Sequence, residues 1–142
     1  MTKKHYFLAI LFVLCGFSPL FAQKDADKIV GVWLNQEKDG TVEIFKKGDK
    51  YYGKIKTKSS TREFDDKNPD TKLQKRKLIG LEILENFTYS GDNVWEEGTI
   101  YDPKSGKTYS CKMTLEKDNK TLNIRGFIGF SMFGRTTVWT RP

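Results

Sequence analysis

Histidine is nearly missing from this chain of 142 residues: the single one, His5, lies in a leader ahead of the folding domain. Without it there can be no Ser-His-Asp triad, no Cys-His pair and no His-ligated zinc. The commonest general base is gone as well. Cysteine is scarce, with Cys15 and Cys111 only. Cys111 alone lies beyond the leader, so the domain can form no internal disulfide, whatever its compartment. No apolar run after residue 22 is long enough to cross a membrane. Carboxylate, lysine or tyrosine chemistry survives these exclusions, but no catalytic constellation stands out. The expectation is a non-enzyme with no catalytic residues, no metal and no cofactor.

The leader itself is informative. Lys3 and Lys4 precede an uncharged apolar run from Tyr6 to Phe17, Ser18 and Pro19 break it, and Leu20-Phe21-Ala22 ends on a small residue. This is the pattern of a secretory signal peptide cut after Ala22. Leu14 ahead of Cys15 is not the small residue that a lipid-anchored cysteine wants. Residues 1–22 are therefore read as a signal peptide and 23–142 as one domain, periplasmic or secreted and not membrane-spanning. With Lys3 and Lys4 gone the net charge falls from +7 to +5. About 120 residues suffice for one core.

What is present is a series of short runs with period-2 alternation, bounded by Gly, Asn, Asp and Pro. They are IVGVWL (29–34), TVEIFK (41–46), YYGKIKTK (51–58), VWEEGTIY (94–101), KTYSCKMTLE (107–116), TLNIRGFIG (121–129) and GRTTVWTR (134–141). LIGLEILENF (78–87) fits a short helix or a strand and is taken as a strand. Eight strands joined by tight turns predict an all-β antiparallel domain, closed into an up-and-down barrel that hides its edges. Alternation places Val42, Ile44, Tyr51, Gly53, Ile55, Tyr109, Cys111, Met113 and Leu115 on the inner face. Glu96 and Glu97, as strand neighbours, are expected on opposite faces, which argues against a paired acid–base device.

Three motifs need weighing. Gly106-Lys107-Thr108 looks like the end of a phosphate loop, but the residue five before Gly106 is Tyr101 and a strand follows. DPKSG is read instead as a turn in which Gly106 supplies a positive φ. Asp66, Asn68 and Asp70 open like a calcium loop, but Thr71 and Lys77 stand where Gly and Glu are needed. The motif, with Pro69, is read as an Asx-Pro turn inside the long irregular stretch 59–77. Residues 45–80 hold 12 Lys/Arg against 5 Asp/Glu, so the whole positive excess sits in this quarter of the protein. Such a field could attract an anionic lipid, glycan or phosphate; lysines on the outer side of a strand could equally be a solubilising face. Aromatic residues among the lysines look superficially like a single-strand nucleic-acid site, but export argues against that partner and none is expected. Gly31, Trp33 and Arg141 are assigned to closing one barrel end, an indole covered by a guanidinium.

The stretches DDKNPDTKLQKRKLIGLEIL (65–84), WEEGTIYDPKSGKTYSCKMTL (95–115) and LNIRGFIGFSMFGRTTVWTR (122–141), with GVW near the start, resemble the bacterial exported family catalogued as domain of unknown function 2147. The resemblance implies a calycin-like barrel similar in architecture to lipocalins, and no settled activity. Lys77 departs from it, standing where such sequences often carry proline.

Two function classes follow. The first is a binding module for a small apolar or amphiphilic anionic ligand. Ile55, Tyr101, Tyr109, Met113 and Ile124 would line its site, with Arg76 and Arg135 near the anionic end. The second is an envelope interaction protein, its barrel filled by side chains and its basic loop meeting an envelope polymer or lipid. Interior volume separates them.

Overall fold

A computed structural model describes residues 19–142; the expected signal segment up to Ser18 lies outside the described residues. Eight strands form a closed antiparallel barrel in which each strand pairs with its neighbours in sequence. They are β1 (Gly31–Leu34), β2 (Gly40–Lys47), β3 (Lys50–Lys58), β4 (Glu82–Gly91), β5 (Val94–Asp102), β6 (Lys107–Leu115), β7 (Thr121–Phe127) and β8 (Gly134–Thr140). The fold class and the number of strands read from the alternation are those observed. A helix, α1 (Pro19–Ala26), and a 3₁₀ turn (Asp27–Ile29) precede β1.

The meander gives the barrel two unlike ends. At one, α1 leads into β1 and the strands turn through short hairpins. At the other lie the β1–β2 connection, the long segment between β3 and β4, the β5–β6 turn and the β7–β8 loop. Gly106 in the β5–β6 turn has φ 72°, and its N–H donates to the Asp102 carbonyl at 2.8 Å. The phosphate-loop look-alike is a hairpin turn followed by a strand.

The inward faces of β2, β3 and β6 follow the expected alternation: Val42, Ile44, Tyr51, Cys111, Met113 and Leu115 are buried. Some strand bounds and one facing assignment need correction. The 29–34 run gives Ile29 to the 3₁₀ turn, and 78–81 precedes the strand, which instead continues to Gly91. Glu96 and Glu97 are not on opposite faces of a regular strand. The ladder is irregular between Trp95 and Gly98, both of which face inward, and Glu97 takes φ 65°. Both glutamates are thereby kept out of the interior. A matching irregularity on β4 buries Leu84 and Phe87, three apart, around Asn86 at φ 63°.

The irregularities face one another, and the Phe87 ring lies against Gly98. A Cβ on Gly98 would fall 2.5–2.6 Å from three ring carbons, so glycine there makes room for the ring. Trp33, Trp95, Tyr51 and Phe87 are all within 1 % of complete burial and fill the barrel from the helix end to its middle. The core belongs to side chains, as in interiors packed at crystal-like density.

Candidate functional site

The helix end is sealed. The Trp33 indole N–H donates to the Ile29 carbonyl at 2.8 Å, and that of Trp95 to the Ala26 carbonyl at 3.1 Å. The Tyr51 hydroxyl donates to Asp27 at 2.5 Å. Burial, reinforced by this bond to a carboxylate, holds the Tyr51 phenol well above its ordinary pKa. The Arg141 guanidinium sits 3.9 Å over the Trp33 ring and donates to the Lys28 carbonyl at 2.7 Å. Gly31, at φ 125°, admits it: a Cβ there would lie 2.6 Å from the guanidinium nitrogen. Arg141→Ala should therefore lower stability by about 1–2 kcal/mol, through the lost cation–π contact and stem packing. A urea midpoint and m-value equal to those of the parent protein would show that the contact contributes nothing.

The loop end differs. Ile55, Ile100 and Tyr109 are half-buried there, and Ile55 and Ile100 rest on the filled core. Gly126 is among them: its Cβ position lies 3.5 Å from Ile100 and 3.6 Å from Tyr109. Arg135, paired with Gly126 across β7 and β8, shares its strand face with buried Trp139 and is itself exposed at the rim. This shallow mouth carries apolar side chains and, in register with Gly126, a cation. Ile55, Tyr109 and Arg135, singled out from the sequence, belong to it.

The other proposed ligand contacts do not. Met113 and Ile124 are buried deep among the packed rings and offer nothing to a ligand. Tyr101 is on the opposite face from Ile100, directed at the β3–β4 segment. Its hydroxyl donates to Asp65 at 2.6 Å. Burial chiefly, and then the Asp65 carboxylate, raises the Tyr101 phenol above its ordinary pKa. Arg76 is not an available cation. Its Nε donates to Asp65 at 2.9 Å, and its guanidinium lies 5.4 Å over the Tyr101 ring.

Asp65 organises that segment. It is wholly buried, and Arg76, Tyr101 and Asn68 all donate to it. Three donors replace the water that burial takes from its side chain. The Asx-Pro turn is built around it. Asn68 is buried and accepts from the Asp70 N–H, while Pro69 stays exposed. Asp66 pairs with Arg62 at 2.6 Å, and Asp70 caps the short 3₁₀ turn Thr71–Leu73 by accepting from the Lys72 N–H at 3.0 Å. The calcium-like side chains thus turn to three different partners. Among the described residues no three His, Cys, Asp or Glu side chains gather as a metal site would require. Cys111 is equally withdrawn: burial pushes its thiol up to about 12.

Clefts mark the outside of the described residues. One of about 680 Å³ runs along α1 and includes Leu20, ahead of the expected cut. Another, about 470 Å³, lies on the outer wall among Lys112, Arg125, Met132 and Thr136. Sequence reading missed the apolar β7–β8 loop beside it. The strand taken to 129 stops at Phe127, and Ile128, Phe130, Met132 and Phe133 are left exposed. The density of large apolar residues in IGFSMF (128–133) was the available signal.

A family model described as "Uncharacterized protein conserved in bacteria (DUF2147)" matches residues 31–141. Among solved structures the chain is similar to protein HP1028 from the human pathogen Helicobacter pylori, described as belonging to the lipocalin family. The two share 25% identity at a TM-score of 0.74, over 80% of this chain and 82% of that one. No curated protein matches the chain.

Proposed function

This chain belongs to the bacterial family DUF2147, and from that footing we propose that it is an exported, non-catalytic binding module that holds an anionic amphiphile at the mouth of its barrel. The observation that carries the reading is the asymmetry of the barrel. One end is filled and sealed by Trp33, Trp95 and Tyr51, and the other leaves Ile55, Ile100 and Tyr109 half-buried beneath an exposed Arg135. The apolar end of a ligand rests on those three side chains, and the anionic end lies at Arg135. Small barrels either fill with side chains or hold one small ligand; this one does the first in its depth and the second at its rim. The basic start and apolar run of residues 1–22 support export to the periplasm or beyond.

The filled depth also favours a second reading, in which the barrel is a platform and the basic β3–β4 segment meets an anionic envelope polymer. Lys67, Lys72 and Lys75 are exposed on that segment.

Titration with a fatty acid and with a lysophospholipid, followed by native mass spectrometry, tests the first reading. Saturable one-to-one binding is expected. Arg135→Glu should weaken it about tenfold, the equivalent of about 1.4 kcal/mol. Absence of saturable binding to either amphiphile, with retention on a polyphosphate column that salt reverses, would transfer the assignment to the platform reading.

A further inference from the structure

We propose that the β7–β8 loop, residues 128–133, is a membrane-docking tip that enters the interface of an anionic lipid bilayer. Ile128, Phe130, Met132 and Phe133 are each more than 70% exposed. Four large apolar side chains within six residues, each turned to solvent, are more than a loop needs for solubility or packing. They also do not form part of the core, which is complete without them.

Charge selects the occupant. From Asn119 to the C-terminus the chain carries Lys120, Arg125, Arg135 and Arg141 and no Asp or Glu. Arg125 and Lys112 share the outer-wall cleft with Met132, so cations lie beside the apolar loop. Arg135 follows it by one residue after Gly134. Apolar side chains flanked by cations match a surface whose hydrocarbon begins beneath negative headgroups, and basic residues close to such a surface strengthen the attachment.

Backbone geometry suits the same place. The loop closes on itself through a 3₁₀ turn, Ser131–Phe133, in which the Phe133 N–H donates to the Phe130 carbonyl at 3.0 Å. This lowers the cost of removing the tip from water, while the headgroup level still solvates the remaining polar groups. The loop is also at the barrel end opposite α1. Docking through it would set the mouth against the bilayer and leave the sealed end outward.

Flotation with vesicles of equal parts phosphatidylglycerol and phosphatidylcholine provides the test. The parent protein should float with them, less so with pure phosphatidylcholine and less at high salt. The double variant Phe130→Asp, Phe133→Asp should lose at least about tenfold in partitioning. Because both side chains are exposed, its thermal melt should match the parent's, which keeps misfolding from mimicking the result. Its lysophospholipid titration, run without vesicles, reports on the mouth separately. The inference is overturned if the parent protein fails to float with the anionic vesicles, or if the double variant floats as well as the parent. It is overturned equally if sedimentation finds a dimer that the double variant dissolves and no flotation, since the loop would then cover a second copy of the chain.

Discussion

Asp65→Ala should remove about 3 kcal/mol of stability. The side chain is fully buried and accepts from the Arg76 Nε at 2.9 Å, the Tyr101 hydroxyl at 2.6 Å and the Asn68 amide at 3.0 Å. Truncation leaves three donors without their acceptor, and breaking a buried pair on one side typically costs about 3–5 kcal/mol. The lower end applies because the Arg76 side chain is about a third exposed and water can reach it. Asp65→Asn keeps an acceptor oxygen and should lose about half as much. Urea unfolding measures the difference. Limited trypsin digestion locates it: the basic β3–β4 segment should become the first site of cleavage, ahead of any strand. Equal midpoints for Asp65→Ala and the parent would mean that the network contributes nothing and that the segment is held by its ends alone.

Gly98→Val should be as damaging, for a steric reason. The Phe87 ring occupies the space a side chain would need, with a Cβ falling 2.5–2.6 Å from three of its carbons. The ring is itself fully buried and cannot swing into solvent. Overpacking of this kind costs about 1–3 kcal/mol, and the confinement on both strands points to the upper value. The double variant Gly98→Val, Phe87→Ala supplies the internal check. Each change alone destabilises, and together they should recover at least about 1 kcal/mol of the summed loss. Strict additivity would show that the ring and the glycine do not share one space.

Much of this was legible because a strand's side-chain period is 2. Val42 and Ile44, or Tyr109, Cys111 and Met113, declare their inner face without reference to anything distant. The signal fails where the ladder does. Trp95 and Gly98 lie three apart and both face inward, and no local rule announces that Glu97 will take a positive φ between them. The Trp33–Arg141 contact could be anticipated because it needs only two complementary side chains at the ends of neighbouring strands. The Arg76–Asp65 pairing could not. It depends on how a segment of about twenty residues folds back on Tyr101, and net charge counts a paired arginine the same as a free one. Charge counting therefore pointed to the β3–β4 segment as a whole, although its Arg76 is taken up by Asp65 and among its cations only the lysines stand exposed, as Arg135 does at the rim of the mouth.

The short contact between β1 and β8 has its own consequence. Seven of the barrel's strand pairings join neighbours in sequence, and all of these but β3–β4 need only a short loop to close. The eighth joins Leu34 to Thr140, 106 positions apart, and that is its one aligned pair. Once the meander has formed, its two edges are already near, and the entropic cost of closure is far below what that separation implies. What holds the edges is mostly not the backbone ladder. The Val138 N–H is taken by the Gln36 side chain at 2.8 Å, and Arg141 reaches across to Trp33 and the Lys28 carbonyl. In energetic terms the molecule is a curled ribbon latched along one edge by side chains, and its closure can be tuned by substitutions that leave every hairpin intact.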